Sequence, residues 1–496
     1  MTRGKAVIIG SGIAGLATAV RLAVKGFEVT VYEKNNTAGG KLSSFVNNGF
    51  YFDAGPSLFT QPENIEELFD LAGEPMENIF SYEPVKIACK YFYPGGKIVN
   101  AYTDRDLFAA ELAQQLNEES ASVIRYLDDA EKLYNKVGTV FLNHSLQKRK
   151  LWLSRKITGA IATVKYPYLF NSLHAYNRKK FNSTEAVQLF DRFATYNGSS
   201  PYKAPGILSM VSHLEHNQGV FYPKGGMISI VKALYQLAVA KGVHFYFDTP
   251  VDNIIYHEGK AMGVVVNGQN TEAAIVISNA DLHFTYKKLL NNPVKAQQLS
   301  RKESSSSAFI FYWSINKRFP QLELHNIFFS DNYKNEFESL FGRKQVSGDP
   351  TIYINITSKM ETAHAPEGKE NWFVMINAPA DNEQNWDLIK EKLREVVIKK
   401  LSGMLGENIS DCIEAEFTLD PTMIEAQTTS YRGALYGSSS NSKRSAFFRE
   451  PNFTSTVKGL YFCGGSVHPG GGIPLCLRSA KIVSELAAAG FKKSHH

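Results

Sequence analysis

The chain has 496 residues, of which 44% are hydrophobic and 21% charged, and its formal net charge is +6. This length predicts two or three domains with a sizeable apolar core. The four cysteines show neither metal-site spacing nor a disulfide framework, as expected in a reducing cytosol. No run of 18 apolar residues occurs, which excludes a membrane-spanning helix. Because an apolar strand is predicted from Lys5, we expect no signal peptide.

The first predicted unit is a nucleotide cradle of the strand–turn–helix type. Lys5–Ile9 is a short apolar run that predicts a buried parallel strand. Gly10, Gly12 and Gly15 follow in a G-x-G-x-x-G pattern, which allows a tight turn, a close approach of a pyrophosphate and close packing of the next helix. The N-terminus of that helix, predicted over Ile13–Lys25, would offer free N–H groups to phosphates.

A second strand and an acidic residue complete the cradle. Glu28–Tyr32 predicts the strand, and Glu33 follows it 18 residues after Gly15, where a carboxylate can accept hydrogen bonds from ribose hydroxyls. An acid here disfavours the 2′-phosphate of NADP. The alternative, an ordinary glycine-rich turn, is opposed by the strand before it, the helix after it and the spacing of the acid. NAD and FAD share this cradle, which leaves both open.

The next predicted features are a hairpin and a basic segment. Lys86–Tyr102 predicts the hairpin, which turns at Pro94. Residues 141–180 contain nine Lys or Arg and no Asp or Glu, interleaved with apolar residues such as Trp152 and Tyr168. This pattern favours a membrane surface, where cations meet anionic headgroups. A solvated basic face on a helical lid is the alternative, and nucleic-acid binding is disfavoured because no recognised motif accompanies the patch.

Two sets of strands are predicted beyond the basic segment. The first set follows a helix at Met227–Val239 and comprises Val243–Asp248, Val251–Tyr256, Gly263–Asn267 and Ala274–Ser278. The second set is rich in β-branched and aromatic residues and comprises Ala308–Ile315, Ile327–Ser330, Thr351–Ile356 and Trp372–Ile376. The second set predicts a mixed sheet that floors a substrate cavity, covered by an amphipathic helix at Asp387–Leu405.

The last predicted unit is a glycine-rich loop between a strand and a helix. Tyr461–Cys463 predicts the strand, and Gly464 lets the backbone approach a ligand. Pro474 suits the start of a helix over Leu475–Gly490, whose positive dipole end would stabilise an anionic group. A ligand that needs both this loop and the cradle at the other end of the chain is large, which favours FAD.

Several motifs along the chain carry a family resemblance. They are E-x5-GGK at Glu33–Lys41, DAGPS at Asp53–Ser57, DRFATYNG at Asp191–Gly198, FYPKGGM at Phe221–Met227 and GGSVHPGGGIPLCLRSA at Gly464–Ala480. These motifs resemble those of FAD-dependent oxidoreductases of the amine oxidase and phytoene desaturase superfamily. The closing motif is similar to that of bacterial carotenoid desaturases, and most of all to the hydroxycarotenoid 3,4-desaturase subgroup.

Two residues depart from the family pattern. Lys41 stands where many relatives carry Arg, so that a point charge replaces a planar fork near the phosphates. Arg478 stands where an apolar residue is expected, and it would either alter the flavin environment or reach solvent.

The resemblance implies an α/β fold, with a Rossmann-type FAD-binding domain, a mixed-sheet substrate domain and a helical lid. The implied FAD-binding domain is discontinuous, over 1–84, 222–283 and 455–492. The substrate domain covers 85–135 and 284–454, and a helical, basic, membrane-facing region covers 136–221. Cofactor contacts are expected from Gly10, Gly12, Ile13, Ala14, Gly15, Glu33, Gly40, Lys41, Gly55, Pro56, Ser57, Leu58, Val251, Asn279, Gly465, Ser466, Gly472, Ile473 and Pro474. For Val251, an ordinary strand core residue is the alternative.

The resemblance also implies a reaction, the dehydrogenation of a C–C bond in an acyclic carotenoid. The expected step is 3,4-desaturation of a 1′-hydroxylated carotenoid with hydride transfer to the flavin, and quinone or oxygen as final electron acceptor. The protein would lie in the cytoplasm, bound peripherally to the inner face of the membrane. The catalytic base stays open: His468, inside the closing motif, and Glu215 are candidates, and a packed core histidine is the alternative for His468.

Other functions remain as alternatives. A phytoene desaturase, a carotenoid isomerase or an amine oxidase would share this fold. A flavin-free lipid-binding escort of the GDP-dissociation-inhibitor type would share it too, but the intact E-x5-GGK motif and the C-terminal glycine loop argue against it. The sequence has no Ser-His-Asp signature, H-E-x-x-H pair or P-loop, so hydrolytic and phosphoryl-transfer chemistry lack support, and we expect no metal site.

Overall fold

A computed structural model describes residues 3–145, 147, 159, 164, 166–380, 383–442, 445, 446 and 448–494. The strands of this part of the chain are β1 (Lys5–Ile9), β2 (Glu28–Tyr32), β3 (Ser43–Asn47), β4 (Phe50–Ala54), β5 (Tyr82–Pro84), β6 (Ile87–Phe92), β7 (Ile98–Tyr102), β8 (Phe221–Pro223), β9 (His244–Tyr246), β10 (Val251–His257), β11 (Lys260–Val266), β12 (Gln269–Glu272), β13 (Ile275–Ser278), β14 (Ser307–Ile315), β15 (His325–Phe328), β16 (Ile352–Asn355), β17 (Glu370–Ala378), β18 (Ile413–Leu419) and β19 (Leu460–Phe462).

The helices range from single turns to a long C-terminal helix. The α-helices of the described residues are α1 (Ile13–Val24), α2 (Glu63–Ala72), α3 (Arg105–Leu116), α4 (Ser120–Leu133), α5 (Thr139–Leu142), α6 (Tyr166–Phe170), α7 (Leu173–Asn177), α8 (Thr184–Asp191), α9 (Ser212–His216), α10 (Ile228–Ala240), α11 (Leu282–Phe284), α12 (Pro293–Ser300), α13 (Tyr333–Glu338), α14 (Trp386–Leu405), α15 (Ile409–Cys412), α16 (Pro421–Thr428) and α17 (Ile473–Ser494). Short 3-10 or π turns lie at Tyr134–Gly138, Arg192–Asn197, Gly206–Val211, Thr285–Leu289, Ser339–Arg343, Thr357–Lys359, Thr362–His364 and Tyr431–Gly433. None of the described helices is both long and apolar enough to cross a membrane.

A five-stranded parallel sheet joins the two ends of the chain. Its order is β19-β13-β1-β2-β9, so the first strand lies two places from the last. Along β1, Ala6 and Ile8 pack towards the helices α1, α10 and α17. Val7 and Ile9 alternate with them and pack towards the antiparallel sheet β10-β11-β12. Burial on both faces explains why this strand is a continuous apolar run.

A seven-stranded sheet forms the second large layer. Its order is β18-β14-β17-β16-β15-β6-β7, and every neighbouring pair is antiparallel except β15 with β6. Phe311 and Trp313 on β14 pack with Leu393 and Val397 of α14, on the outer face of the sheet. Ile310 points to the opposite face and lines a cavity. The strand is buried along its whole length because both faces are covered.

Helices from α3 to α9 cover one end of the seven-stranded sheet. Phe108, Tyr126 and Phe190 are buried among them in an aromatic core. Within the predicted membrane-facing basic segment, residues 141–180, positions 146–165 lie outside the described residues apart from 147, 159 and 164.

The predicted elements agree closely with the observed ones. Strands Lys5–Ile9 and Glu28–Tyr32 are confirmed to the residue, and the hairpin of β6 and β7 closes where Tyr93 N–H donates to the Lys97 carbonyl. The last helix begins at Ile473, two residues before its predicted start, because Pro474 fits its first turn without a free N–H. The domain boundaries stay predictions.

Two of the observed features that were not predicted are strand β18 and the hairpin of β3 and β4. Strand β18 lies at the sheet edge and contains Glu414 and Glu416, which have low strand propensity. The hairpin of β3 and β4 turns at Asn48-Gly49, both at positive φ. Asn-Gly between two apolar runs is a strong hairpin signal, so this element could have been predicted.

Replacement of a buried tryptophan tests the outer layer of the seven-stranded sheet. Trp313 is fully buried and its indole N–H donates to Glu416 at 2.8 Å. We expect Trp313→Ala to lower the free energy of unfolding by about 3–5 kcal/mol, through the cavity it leaves. Urea unfolding followed by circular dichroism measures this. Leu388→Ala on α14, where the side chain is 67% exposed, is the control and should cost less than about 0.5 kcal/mol; equal effects would contradict this packing.

Candidate functional site

One cavity runs from the parallel sheet to the seven-stranded sheet. At the first end, its wall is formed by residues that follow the carboxyl ends of β1, β2, β13 and β19, namely Gly10, Glu33, Asn279 and Gly464. At the second end, it is formed by inner-face residues of the seven-stranded sheet, such as Ile310 and Phe373. The carboxyl edge of a parallel sheet is where such folds bind nucleotides.

The structure brings together nearly all of the predicted cofactor residues. Those that line the cavity are Gly10, Gly12, Ile13, Ala14, Glu33, Gly40, Lys41, Gly55, Pro56, Ser57, Leu58, Val251, Asn279, Gly465, Ser466, Gly472, Ile473 and Pro474. Gly15 does not line it, because a Cβ on Gly15 would lie 2.2 Å from the Gly10 carbonyl oxygen. Gly15 therefore sets the packing of α1, which is the role that the motif assigns to its third glycine.

The N-terminus of α1 presents free donors to the cavity. The first intrahelical bond runs from Leu16 N–H to the Gly12 carbonyl, so the N–H groups of Ile13 and Ala14 precede the helical ladder. No side chain caps the helix at Gly12. Together with the positive end of the helix dipole, these groups form an anion site of the kind that holds a pyrophosphate.

Glu33 is held firmly at the end of β2. Its Oε2 accepts from both the N–H and the hydroxyl of Ser11 at 2.8 Å, and its Oε1 accepts from Asn35 N–H at 3.0 Å. Oε2 thus has both lone pairs occupied, whereas Oε1 can accept one further hydrogen bond. Glu33 can therefore still accept from a ribose hydroxyl.

Lys41 is tied by hydrogen bonds to a distant loop. Its ammonium donates to the carbonyls of Ala434 and Leu435, at 3.0 and 2.8 Å. Burial lowers the pKa of Lys41, although the charge of Asp281 opposes that effect. Lys41 lines the cavity and fastens the loop before the C-terminal segment, and its contact with the phosphates stays a prediction.

The C-terminal glycine loop is open towards the cavity. Gly472 has a φ of +106°, and a Cβ built there meets no atom within 4 Å. The neighbouring helix α17 begins at Ile473, so its positive end also faces the cavity. Ser466 accepts a hydrogen bond from Leu282 N–H at 3.0 Å, which ties the loop to the turn after β13.

A hydrogen-bonded chain crosses the cavity wall from the Gly55–Leu58 segment to the seven-stranded sheet. The Ser57 hydroxyl lies 2.8 Å from the Tyr353 hydroxyl, which lies 2.8 Å from His325 Nδ1. Asn355 donates to the same Nδ1 at 3.2 Å. Burial lowers the pKa of His325 to about 4, so its ring is neutral.

An ion pair is buried in the same wall. Arg192 donates to both oxygens of Glu215, at 2.7 and 2.6 Å, and the Tyr196 hydroxyl also donates to Glu215. Burial raises the pKa of Glu215, but the charges of Arg192 and His216 outweigh it and hold the pKa below its ordinary value. A carboxylate so firmly paired is a poor proton acceptor, so the geometry disfavours Glu215 as the catalytic base.

His468 does not line the cavity. It is 3% exposed, its Nε2 lies 3.0 Å from the Phe141 carbonyl oxygen, and burial lowers its pKa to about 4. Its backbone carbonyl accepts from Asn452 at 2.7 Å. These contacts hold the glycine loop in place, so the packed-residue alternative fits His468 better than the role of a base.

Several wall residues were not predicted. His325 and Tyr353 belong to no motif, and the chain separation from Ser57 hides their contact. Arg478 contacts Tyr134, another wall residue, by donating to its hydroxyl at 2.8 Å. Arg478 itself does not line the cavity, and its effect on the flavin environment stays a prediction.

The cavity has the donors and the space that FAD needs. Donors lie at the α1 and α17 helix ends, the acceptor Glu33 lies at the ribose position of the cradle, and Gly472 leaves open space between the chain ends. The wall also continues past these groups into an apolar chamber, which a dinucleotide cradle alone does not require.

Comparison with known proteins gives the family. The sequence profile of flavin-containing amine oxidoreductases matches residues 13–488. The chain therefore belongs to this family, and it is an FAD-dependent oxidoreductase.

Relatives that are similar over nearly the whole chain give a more specific comparison than the family profile does. The chain is 47% identical over 482 residues to a 1-hydroxycarotenoid 3,4-desaturase of Flavobacterium sp. (strain P99-3), covering 97% of this chain and 98% of that one. It is 31% identical to a 4,4'-diapolycopene oxygenase of Methylomonas sp, with 98% of each chain covered. The solved structure of an oxidoreductase from Methanosarcina mazei shares the fold, with a TM-score of 0.63, 17% identity and coverage of 98% and 100%.

A larger residue at Gly472 tests the cofactor cradle. We expect Gly472→Leu to weaken FAD binding by at least about tenfold, because its side chain would enter the space between the helix ends. The flavin absorbance retained per protein after reconstitution measures this. Gly73→Leu is the matched control, since Gly73 also has positive φ (+65°) with no atom within 4 Å of a built Cβ but lies outside the cavity. Equal flavin loss in both variants would point to backbone strain alone.

Proposed function

We propose that this chain catalyses the FAD-dependent desaturation of an acyclic carotenoid, and that it removes hydrogen across the 3,4 bond of a 1-hydroxylated one. The observation that carries the proposal is the single cavity, which joins a dinucleotide cradle to a chamber walled by Ile310, Phe373 and Met375. The relative with 47% identity over nearly the whole chain supports the same substrate class.

The residues proposed to hold FAD lie on both ends of the chain. Ile13 and Ala14 would donate to its phosphates, Glu33 would accept from its ribose, and Gly472 would leave room for the ring system. When bound, FAD supplies the two-electron acceptor that a side chain cannot provide.

The protein's own contribution is to position the polyene and exclude water. The apolar chamber would remove the substrate from water and hold one bond near the cofactor position. The positive end of α17 favours a gain of negative charge at this wall. Glu215 lines the cavity, but its pairing with Arg192 makes it a poor acceptor for the substrate proton, and His468 lies outside the cavity.

We further propose that the protein binds the membrane surface where its lipid-like substrate resides. The support is an exposed aromatic pair: Tyr166 and Phe170 are 68% and 53% exposed, and their rings stack with centroids 4.2 Å apart. They lie within the basic segment, residues 141–180, that the sequence predicts to meet anionic headgroups. Binding at the cytoplasmic face, with quinone or oxygen as electron acceptor, belongs to the same proposal.

Substrate conversion tests the function directly. The holoenzyme in liposomes is offered an acyclic 1′-hydroxylated carotenoid and, separately, phytoene, while the absorption spectrum and product mass are followed. We expect a red shift and the loss of two hydrogen atoms with the hydroxylated carotenoid alone, because one more double bond joins the conjugated system. Conversion of phytoene alone would assign an earlier step, and a spectral change without mass change would indicate an isomerase.

A further inference from the structure

His325 exposes one ring nitrogen that the protein leaves unused. The residue begins β15, is 2% exposed and lines the cavity. Its Nδ1 accepts from Asn355, so in the neutral ring the hydrogen is on Nε2. Nε2 has no hydrogen-bond partner among the described residues. The ring therefore presents a free N–H donor in the wall of an apolar chamber.

A second free donor lies in the same part of the wall. Arg192 Nε is buried without a partner within the described residues, although the outer nitrogen of its guanidinium binds Glu215. Arg192 and Glu215 lie near enough for their charges to act on His325. Buried donors in native proteins almost always have partners, so two unpaired donors in one cavity wall indicate a polar ligand atom.

We propose that His325 is a specificity-determining residue, whose Nε2–H donates to the oxygen of the substrate's terminal hydroxyl, with Arg192 Nε–H as a second donor. This inference rests on the proposed function. A hydroxyl oxygen has two lone pairs and can accept from both donors. A polyene end without a hydroxyl would leave both donors unpaired and desolvated, which selects against it.

The chamber around these donors makes the selection effective. Apolar residues such as Ile327 and Phe373 line it, which strengthens a hydrogen bond made to the two donors. Tyr353 and Asn355 keep the ring oriented, because both meet its Nδ1. Ser57, bonded to Tyr353, belongs to the segment proposed to contact the flavin. These hydrogen bonds fix the position of His325 relative to the end of the cavity that is proposed to hold the flavin.

Another histidine provides a matched control. His216 is also buried, its Nε2 also makes no hydrogen bond in the described part of the chain although it lies 4.0 Å from Glu215 Oε2, and burial lowers its pKa to about 4 as well. However, its ring stacks on Phe108 at 4.0 Å between centroids and does not line the cavity. Any general cost of losing a buried histidine should therefore appear in both His216→Leu and His325→Leu.

The test compares a hydroxylated acyclic polyene with its unhydroxylated counterpart. Two readouts are taken on holoenzyme of equal flavin content: kcat/KM for each polyene, and the affinity of each for the anaerobically reduced enzyme, from partition between detergent micelles and protein. We expect His325→Leu to lower kcat/KM and affinity for the hydroxylated polyene by about tenfold or more, and to leave the unhydroxylated one within about twofold. His325→Gln, which keeps an N–H donor, should restore most of the discrimination.

The outcomes separate this inference from the proposed function. His216→Leu should leave the ratio between the two polyenes unchanged. Equal affinity of the wild-type enzyme for both polyenes, or equal losses for both in His325→Leu, would overturn the role of His325. Wild-type enzyme that binds the hydroxylated polyene more tightly but does not desaturate it would contradict the proposed function and leave the donor assignment supported.

Discussion

The side chain of Asn279 joins the two halves of the site. Its Oδ1 accepts from Gly15 N–H at 3.1 Å, and its Nδ2 donates to the Cys463 carbonyl at 3.2 Å. A Cβ on Gly12 would lie 2.9 Å from Oδ1, and one on Gly464 would lie 2.7 Å from Nδ2. One amide thus explains glycines at opposite ends of the chain, because it occupies the space that their side chains would fill.

The chemistry of the cavity depends on which polar groups in its wall are paired within the protein and which are left free. Charged groups are neutralised within the wall: Glu215 binds Arg192, and Lys41 binds two carbonyls. Neutralisation lets an apolar substrate share the cavity with a charged cofactor. The donors at the helix ends and on His325 have no protein partner among the described residues. For each of them, a ligand group can be named that would accept its hydrogen bond.

Local patterns sufficed to predict many of the strands and the cradle, since apolar runs and glycine spacing are short-range properties, whereas much of the cofactor wall was implied by the family resemblance. Contacts between distant segments could not be predicted. Lys41 meets Ala434 across 393 residues, and His325 meets Tyr353 through strand pairing that no motif encodes. Glu215 lies within reach of the site as expected, but its paired state depends on Arg192, 23 residues away on another turn.

Hydrogen exchange with and without FAD tests the central claim that both chain ends form one cofactor site. The account predicts that FAD slows amide exchange together in residues 10–15 and in residues 464–473, at the same FAD concentration, because one ligand contacts both segments. Asn279→Ala should weaken the protection of both segments in parallel. Protection confined to one end, or protection of the two ends at clearly different FAD concentrations, would contradict the account.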